Sequence, residues 1–222
     1  MNKIISGSLG VLIFAVTGIA NATLLVGWQP DVAPITGVSA TGISSVGSTA
    51  TVNLLSDCTL VSSDCVNVNP NGVTTAADAV TSNTFFEFSA SADTGLGLDL
   101  TSLMFSAFKG GSSGPRGWVM RTSIDAFASD IGDGILTCSP FSPTFCTEPD
   151  LFSVDLTGSD FQGLAQIDFR IYSYSPSEVN VLNYSHLELH GDVSQVSVPE
   201  PTSLALLGLG LAGLGFTRKK RT

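Results

Sequence analysis

Apolar and polar positions alternate along most of residues 23–196, and small clusters of Gly, Ser, Thr, Asp and Asn interrupt the alternation at short intervals. A period of two is that of a strand with one buried face, so this segment predicts strands and not amphipathic helices. The candidate strands are 49–55, 85–92, 98–108, 118–123, 151–156, 166–174 and 186–193. Within 85–92 the spacing puts Phe86, Phe88 and Ala90 on one face. Trp118, followed by Val119 and Met120, belongs to a dense apolar strand and so to the core. Gly110-Gly-Ser-Ser-Gly-Pro115 supplies residues that tolerate positive φ and predicts a hairpin loop; Ser175-Pro176-Ser177 predicts a second turn. Several short strands separated by turn signals indicate an all-β domain, a β-sandwich or jelly roll, and 174 residues suffice for one substantial core.

The two ends break this pattern. Met1-Asn-Lys3, an apolar run over 9–19 and the small-residue site Ala20-Asn21-Ala22 form a secretory signal peptide over 1–22, with cleavage by signal peptidase before Thr23. An uncleaved amino-terminal anchor is the alternative. At the other end, over 197–222, Pro199-Glu200-Pro201 keeps the backbone extended. An uncharged apolar span follows over about 203–217, and then Arg218, Lys219, Lys220 and Arg221. A short membrane helix with a cytoplasmic basic stop has this order, so a signal helix and a C-terminal transmembrane helix are expected to flank the sandwich. Charge agrees with export. Residues 23–200 hold four of the nine basic residues and all nineteen acidic ones, a formal charge of −15, between two basic ends. Nucleic acid and anionic lipid surfaces would repel such a body, which excludes nucleic-acid binding; solubility outside the cell, or attraction to cations and to neutral or basic polysaccharide, stays open.

Pro199-Glu200-Pro201, the Gly-rich apolar span and the Arg/Lys cluster together resemble the PEP-CTERM sorting signal. The resemblance implies an exosortase as partner, a membrane-embedded cysteine protease or transpeptidase that processes the chain near Pro-Glu-Pro. It further implies a Gram-negative bacterium that secretes exopolysaccharide, an inner-membrane-anchored precursor, and later residence at the cell surface or in the extracellular matrix. Residues 85–91, 97–105, 114–127, 168–174 and 183–191 resemble the ectodomain common among such proteins, which implies a carbohydrate-binding-like jelly roll without specifying a ligand.

Side chains that carry chemistry are few. Cys58 and Cys65, and Cys138 and Cys146, form two close pairs in turn-rich segments, which favours two local disulfides in an oxidising compartment. A zinc site of four cysteines would need closer spacing within each pair. His186, Glu188 and His190 alternate with Leu187 and Leu189, so all three are expected on one face, as metal ligands or, with more weight, as the solvated face of an outer strand. Asp130 and Asp133, beside Gly132 and Gly134, read as a plain turn, with calcium as the other reading. No Gly-x-Ser-x-Gly elbow occurs, Gly111-Ser-Ser-Gly114 has the wrong spacing, and no two carboxylates are singled out as acid and base. Trp28, Trp118, Tyr172 and Tyr174 are candidates for a sugar-stacking platform. The expectation is a non-catalytic surface or matrix protein without a cofactor, possible calcium aside, that can associate with exopolysaccharide. A secreted hydrolase and a sugar-binding adhesin are the alternatives.

Overall fold

The computed structural model describes residues 23–29, 36–50, 53–55, 65–70, 72–110, 116–138, 148–175 and 182–196. The expected signal helix and transmembrane helix lie outside these residues. Among the described residues no helix is long and apolar enough to cross a membrane.

Two antiparallel sheets pack face to face. The first contains β1 (Thr23–Gln29), β2 (Thr36–Ser39), β4 (Asn53–Leu55), β5 (Cys65–Asn69), β7 (Leu96–Lys109), β10 (Asp150–Asp155) and β12 (Leu182–Gln195). Its main path runs β10-β7-β12-β1-β2, while β5 and then β4 extend from β12. The second sheet has the order β3-β6-β11-β8-β9, with β3 (Ile43–Ala50), β6 (Phe85–Ala92), β8 (Arg116–Thr122), β9 (Gly132–Leu136) and β11 (Gln166–Tyr174). Most connections cross between the sheets, and that interleaving makes the two layers one unit.

The alternation of the sequence becomes the two faces of each sheet. Phe86, Phe88 and Ala90 on β6, Phe169 and Ile171 on β11, and Trp118 and Met120 on β8 point inward. They meet Leu100, Leu103 and Phe105 of β7, Leu187 and Leu189 of β12, and Val26 and Trp28 of β1. Ring contacts bind the layers: Trp28 lies edge-on to Phe88 at 4.8 Å, and Phe105 edge-on to Trp118 at 4.9 Å. Inside this core the Tyr184 hydroxyl and Ser173 Oγ are 2.9 Å apart, one polar link between the sheets. Burial pushes the Tyr184 phenol well above its ordinary range.

Three details depart from the sequence reading. The run 49–55 is not one strand: β3 ends at Ala50 in the second sheet and β4 begins at Asn53 in the first. The glycine-rich segment before β8 does not close a hairpin, because β7 and β8 belong to different sheets. Finally, the 130–134 turn gives way at Gly132 to β9, an edge strand paired with β8. The glycines there make room: a Cβ at Gly134 would lie 2.6 Å from the Phe152 ring and 2.7 Å from Trp118 Nε1. A short helix, α1 (Ala76–Thr81), capped by Thr75 Oγ1 accepting from the Asp78 N–H, packs Ala79 against Phe85, Val119 and Tyr172. It covers part of the outer face of the second sheet.

Candidate functional site

β12 is the long central strand of its sheet. It pairs with β7 along nearly its whole length, and on its other side first with β5 and then with β1. The register with β7 shifts between Ser185 and Glu188, but beyond it the alternation holds: His186, Glu188 and His190 share the outward face, between the buried Leu187 and Leu189. His186 sits in that irregularity at φ 52°, a left-handed conformation uncommon for a residue with a Cβ. Its Nδ1 lies 3.3 Å from Ser106 Oγ, which is itself 2.8 Å from Ser185 Oγ. Glu188 and His190 face each other instead, with 3.2 Å between Oε2 and Nε2. The strand thus divides the three residues into a serine-bound histidine and a Glu–His pair. Among the described residues no group of three or more His, Cys, Asp or Glu is placed to hold a metal ion.

The two aspartates have different tasks. Asp130 Oδ1 accepts from Arg121 Nε at 2.5 Å, so its carboxylate is committed to an ion pair, while Asp133 lies on β9 between Gly132 and Gly134. Asp125 accepts from the backbone N–H groups of Ala128 and Ser129 and fixes the same loop. Asp155 does likewise for the next turn. The backbone N–H of Thr157 and then its hydroxyl hold the Asp155 carboxyl below its usual range. These acidic residues build turns.

An assembly that sequence spacing did not reveal lies on the outer face of the second sheet. Arg170 on β11 has its guanidinium carbon 4.0 Å from the Phe85 ring centroid and 3.7 Å from that of Phe127, and its Nε donates to Glu87 at 2.6 Å. Phe127 reaches this position because Ala126 and Phe127 both adopt left-handed backbone, at φ 57° and 62°. Arg121 Nη1 donates to the Phe127 carbonyl at 3.0 Å and helps hold that conformation. Cross-strand pairing of Arg170 with Glu87 was the part legible only once the register was known.

The four aromatic candidates do not form a platform. Trp28, Trp118 and Tyr172 are each about 2 % exposed, the tryptophans between the sheets and Tyr172 beneath α1; only Tyr174 reaches an intermediate exposure. Of the cysteines, Cys138 is buried with Sγ 2.8 Å from the Glu148 carbonyl, and Cys65 opens β5 opposite Ser185. Cys58 and Cys146 lie outside the described residues, and no disulfide is seen among the described ones.

The start of β1 and the end of β12 lie close together. Thr23 opposes Gly191 and donates from Oγ1 to the Gly191 carbonyl at 2.9 Å. Gln195 opposes Leu96, and the Val196 N–H donates to the Gly95 carbonyl at 3.1 Å. The start of β1 and the end of β12 therefore occupy one end of the sandwich. Ala20 and Ala22 at the signal cleavage site, Pro199, Glu200 and Pro201, and the basic stop Arg218, Lys219, Lys220 and Arg221 lie outside the described residues.

Residues 197–220 match the PEP-CTERM protein-sorting motif. No curated protein matches the chain. The chain thus carries an exosortase-type sorting signal, which implies export and a membrane-anchored sorting segment at its C-terminus.

Proposed function

We propose that this is an exported protein of a Gram-negative bacterium, freed of its leader by signal peptidase, held at the inner membrane by its C-terminal helix, and processed by an exosortase near Pro199-Glu200-Pro201. It then serves at the cell surface or in the extracellular matrix as a non-catalytic β-sandwich associated with exopolysaccharide. The observation that carries the reading is the sorting motif over 197–220, which begins directly after Val196, the last described residue, whose N–H is bonded to Gly95. The location of the start of β1 and the end of β12 at one end of the sandwich supports it. A precursor held by a leader and a tail can stand on that end and leave the rest of the domain free. Commitment of Asp125, Asp130 and Asp155 to turns and ion pairing supports a scaffold more than a hydrolase.

The sorting step is tested in the producing cells. Glu200→Ala, or removal of residues 218–221, is expected to leave full-length precursor in the membrane fraction, and normal maturation of both variants would refute it. The matrix role is tested by co-sedimentation of the mature protein with exopolysaccharide from the same cells. Recovery of all the protein in the supernatant would separate the sorting signal from the proposed destination.

A further inference from the structure

The last stretch of β12 is held differently from the rest. Up to Gly191 the strand has neighbours on both sides, β7 on one and β5 or β1 on the other. From Asp192 to Gln195 it pairs, among the described residues, with β7 alone, through Asp192–Asp99, Val193–Leu98, Ser194–Gly97 and Gln195–Leu96. One of these pairs sets two carboxylates directly opposite each other, an arrangement that weakens a ladder. The only apolar anchor in the stretch is Val193, partly buried beside Leu96 and Gly42, while Gln195 and Val196 are exposed.

β7 does not depend on this partner. Its opposite edge is held by Leu98 and Leu164, whose backbone groups exchange hydrogen bonds at 2.8 and 3.1 Å, and by the Gly163 N–H donating to Asp99 Oδ1 at 2.7 Å. Residues 192–196 can therefore leave while the sandwich stays intact. Gly191 marks where peeling stops: β1 joins there, and the backbone approaches Asp99 so closely that a Cβ would lie 2.3 Å from the Asp99 carbonyl oxygen.

The sorting segment sits on a short leash. Only Ser197 and Val198 separate Val196 from Pro199, three residue steps with a reach of roughly 10–11 Å fully extended. From Val196 to the start of the apolar span the chain covers only about seven residues, a reach of at most roughly 25 Å. A processing enzyme that grips extended chain on the N-terminal side of Pro199 soon meets the paired end of β12.

We propose that residues 192–196 form a detachable strap whose release from β7 delivers the sorting motif to its processing enzyme, so that the grip of this strap sets the rate of maturation. The inference rests on the sorting reading. Its physical basis is that a short stretch paired, among the described residues, on one side only, with one apolar anchor, opens at far lower cost than the whole domain.

Pulse–chase of the full chain in the producing cells tests it with three variants. Ten Gly/Ser residues inserted between Val196 and Ser197 let the motif reach the enzyme without opening the strap, and maturation should accelerate several-fold. Leu96→Cys with Gln195→Cys places a cross-strand pair at a spacing that a disulfide can bridge. When oxidised, this lock should slow maturation by at least about tenfold, since it removes an opening that otherwise costs only a few net hydrogen bonds. Combining lock and insert should restore the rate of the insert alone. An insert that changes nothing, a lock that matures normally, or a locked chain that the insert fails to rescue would each overturn the strap. Normal maturation of both Glu200→Ala and the chain lacking residues 218–221 would instead defeat the sorting reading on which it rests, so the two failures are told apart.

Discussion

The two stretches of β12, 182–191 and 192–195, belong to one continuous strand yet answer to different demands. The first is enclosed by neighbours on both sides and contributes Tyr184, Leu187 and Leu189 to the core, each with no measurable exposure. The second has, among the described residues, one neighbour and one partly buried anchor, and it passes straight into the sorting segment. The difference shows that membership of a strand does not fix how firmly a residue is held. Burial and the number of paired edges do, and they fall away where the chain must be handed to another protein.

This contrast can be broken by substitution. Leu189→Ala should destabilise the mature domain by about 2–5 kcal/mol in urea unfolding, because it empties a closed site in the core. Gly134→Ala should cost about 1–3 kcal/mol, since the new Cβ must displace Phe152 or Trp118. Val193→Ala should cost under about 1.5 kcal/mol while accelerating exchange of the amides of residues 193–196. Equal losses from Leu189→Ala and Val193→Ala would erase the distinction between the two stretches. The smallest effect concerns acid. The Asp155 carboxyl is held below its usual range, so its stabilising contribution is present above the ordinary carboxylate range and is lost as pH falls through its lowered value. Asp155→Asn should therefore flatten the acid limb of the stability profile slightly, and an unchanged limb would show that this turn adds nothing.

Much of the sandwich was legible because a half-buried strand imprints its period on the sequence. The runs 85–92 and 166–174 coincide with β6 and β11, and Trp118 lies in the core as its apolar neighbours indicated. Strands whose pairing depends on distant partners left weaker traces. β1 begins where the leader is expected to end, and β9 carries glycines that locally read as a turn but serve to admit Trp118 and Phe152. α1 is too short to show a helical period, and only its contact with Phe85, Val119 and Tyr172 gives it a reason to form.

The candidate sites divide along the same line. The sorting signal is written in contiguous residues and could be read directly, and the match over 197–220 agrees with it. His186, Glu188 and His190 share one outward face, but their partners, Ser106 for the first and each other for the last two, depend on register and on the irregularity at His186, which local spacing does not carry. The stacking of Arg170 between Phe85 and Phe127 joins three elements distant in the chain and leaves no local pattern.

Intact mass of the protein recovered from membrane and external fractions of the producing cells tests the central claim most directly. The account predicts an external species that begins at Thr23 and ends near residues 199–201. A chain found only in the membrane and still ending at Thr222 would contradict it, and would make the tail a permanent anchor instead of a signal to be processed.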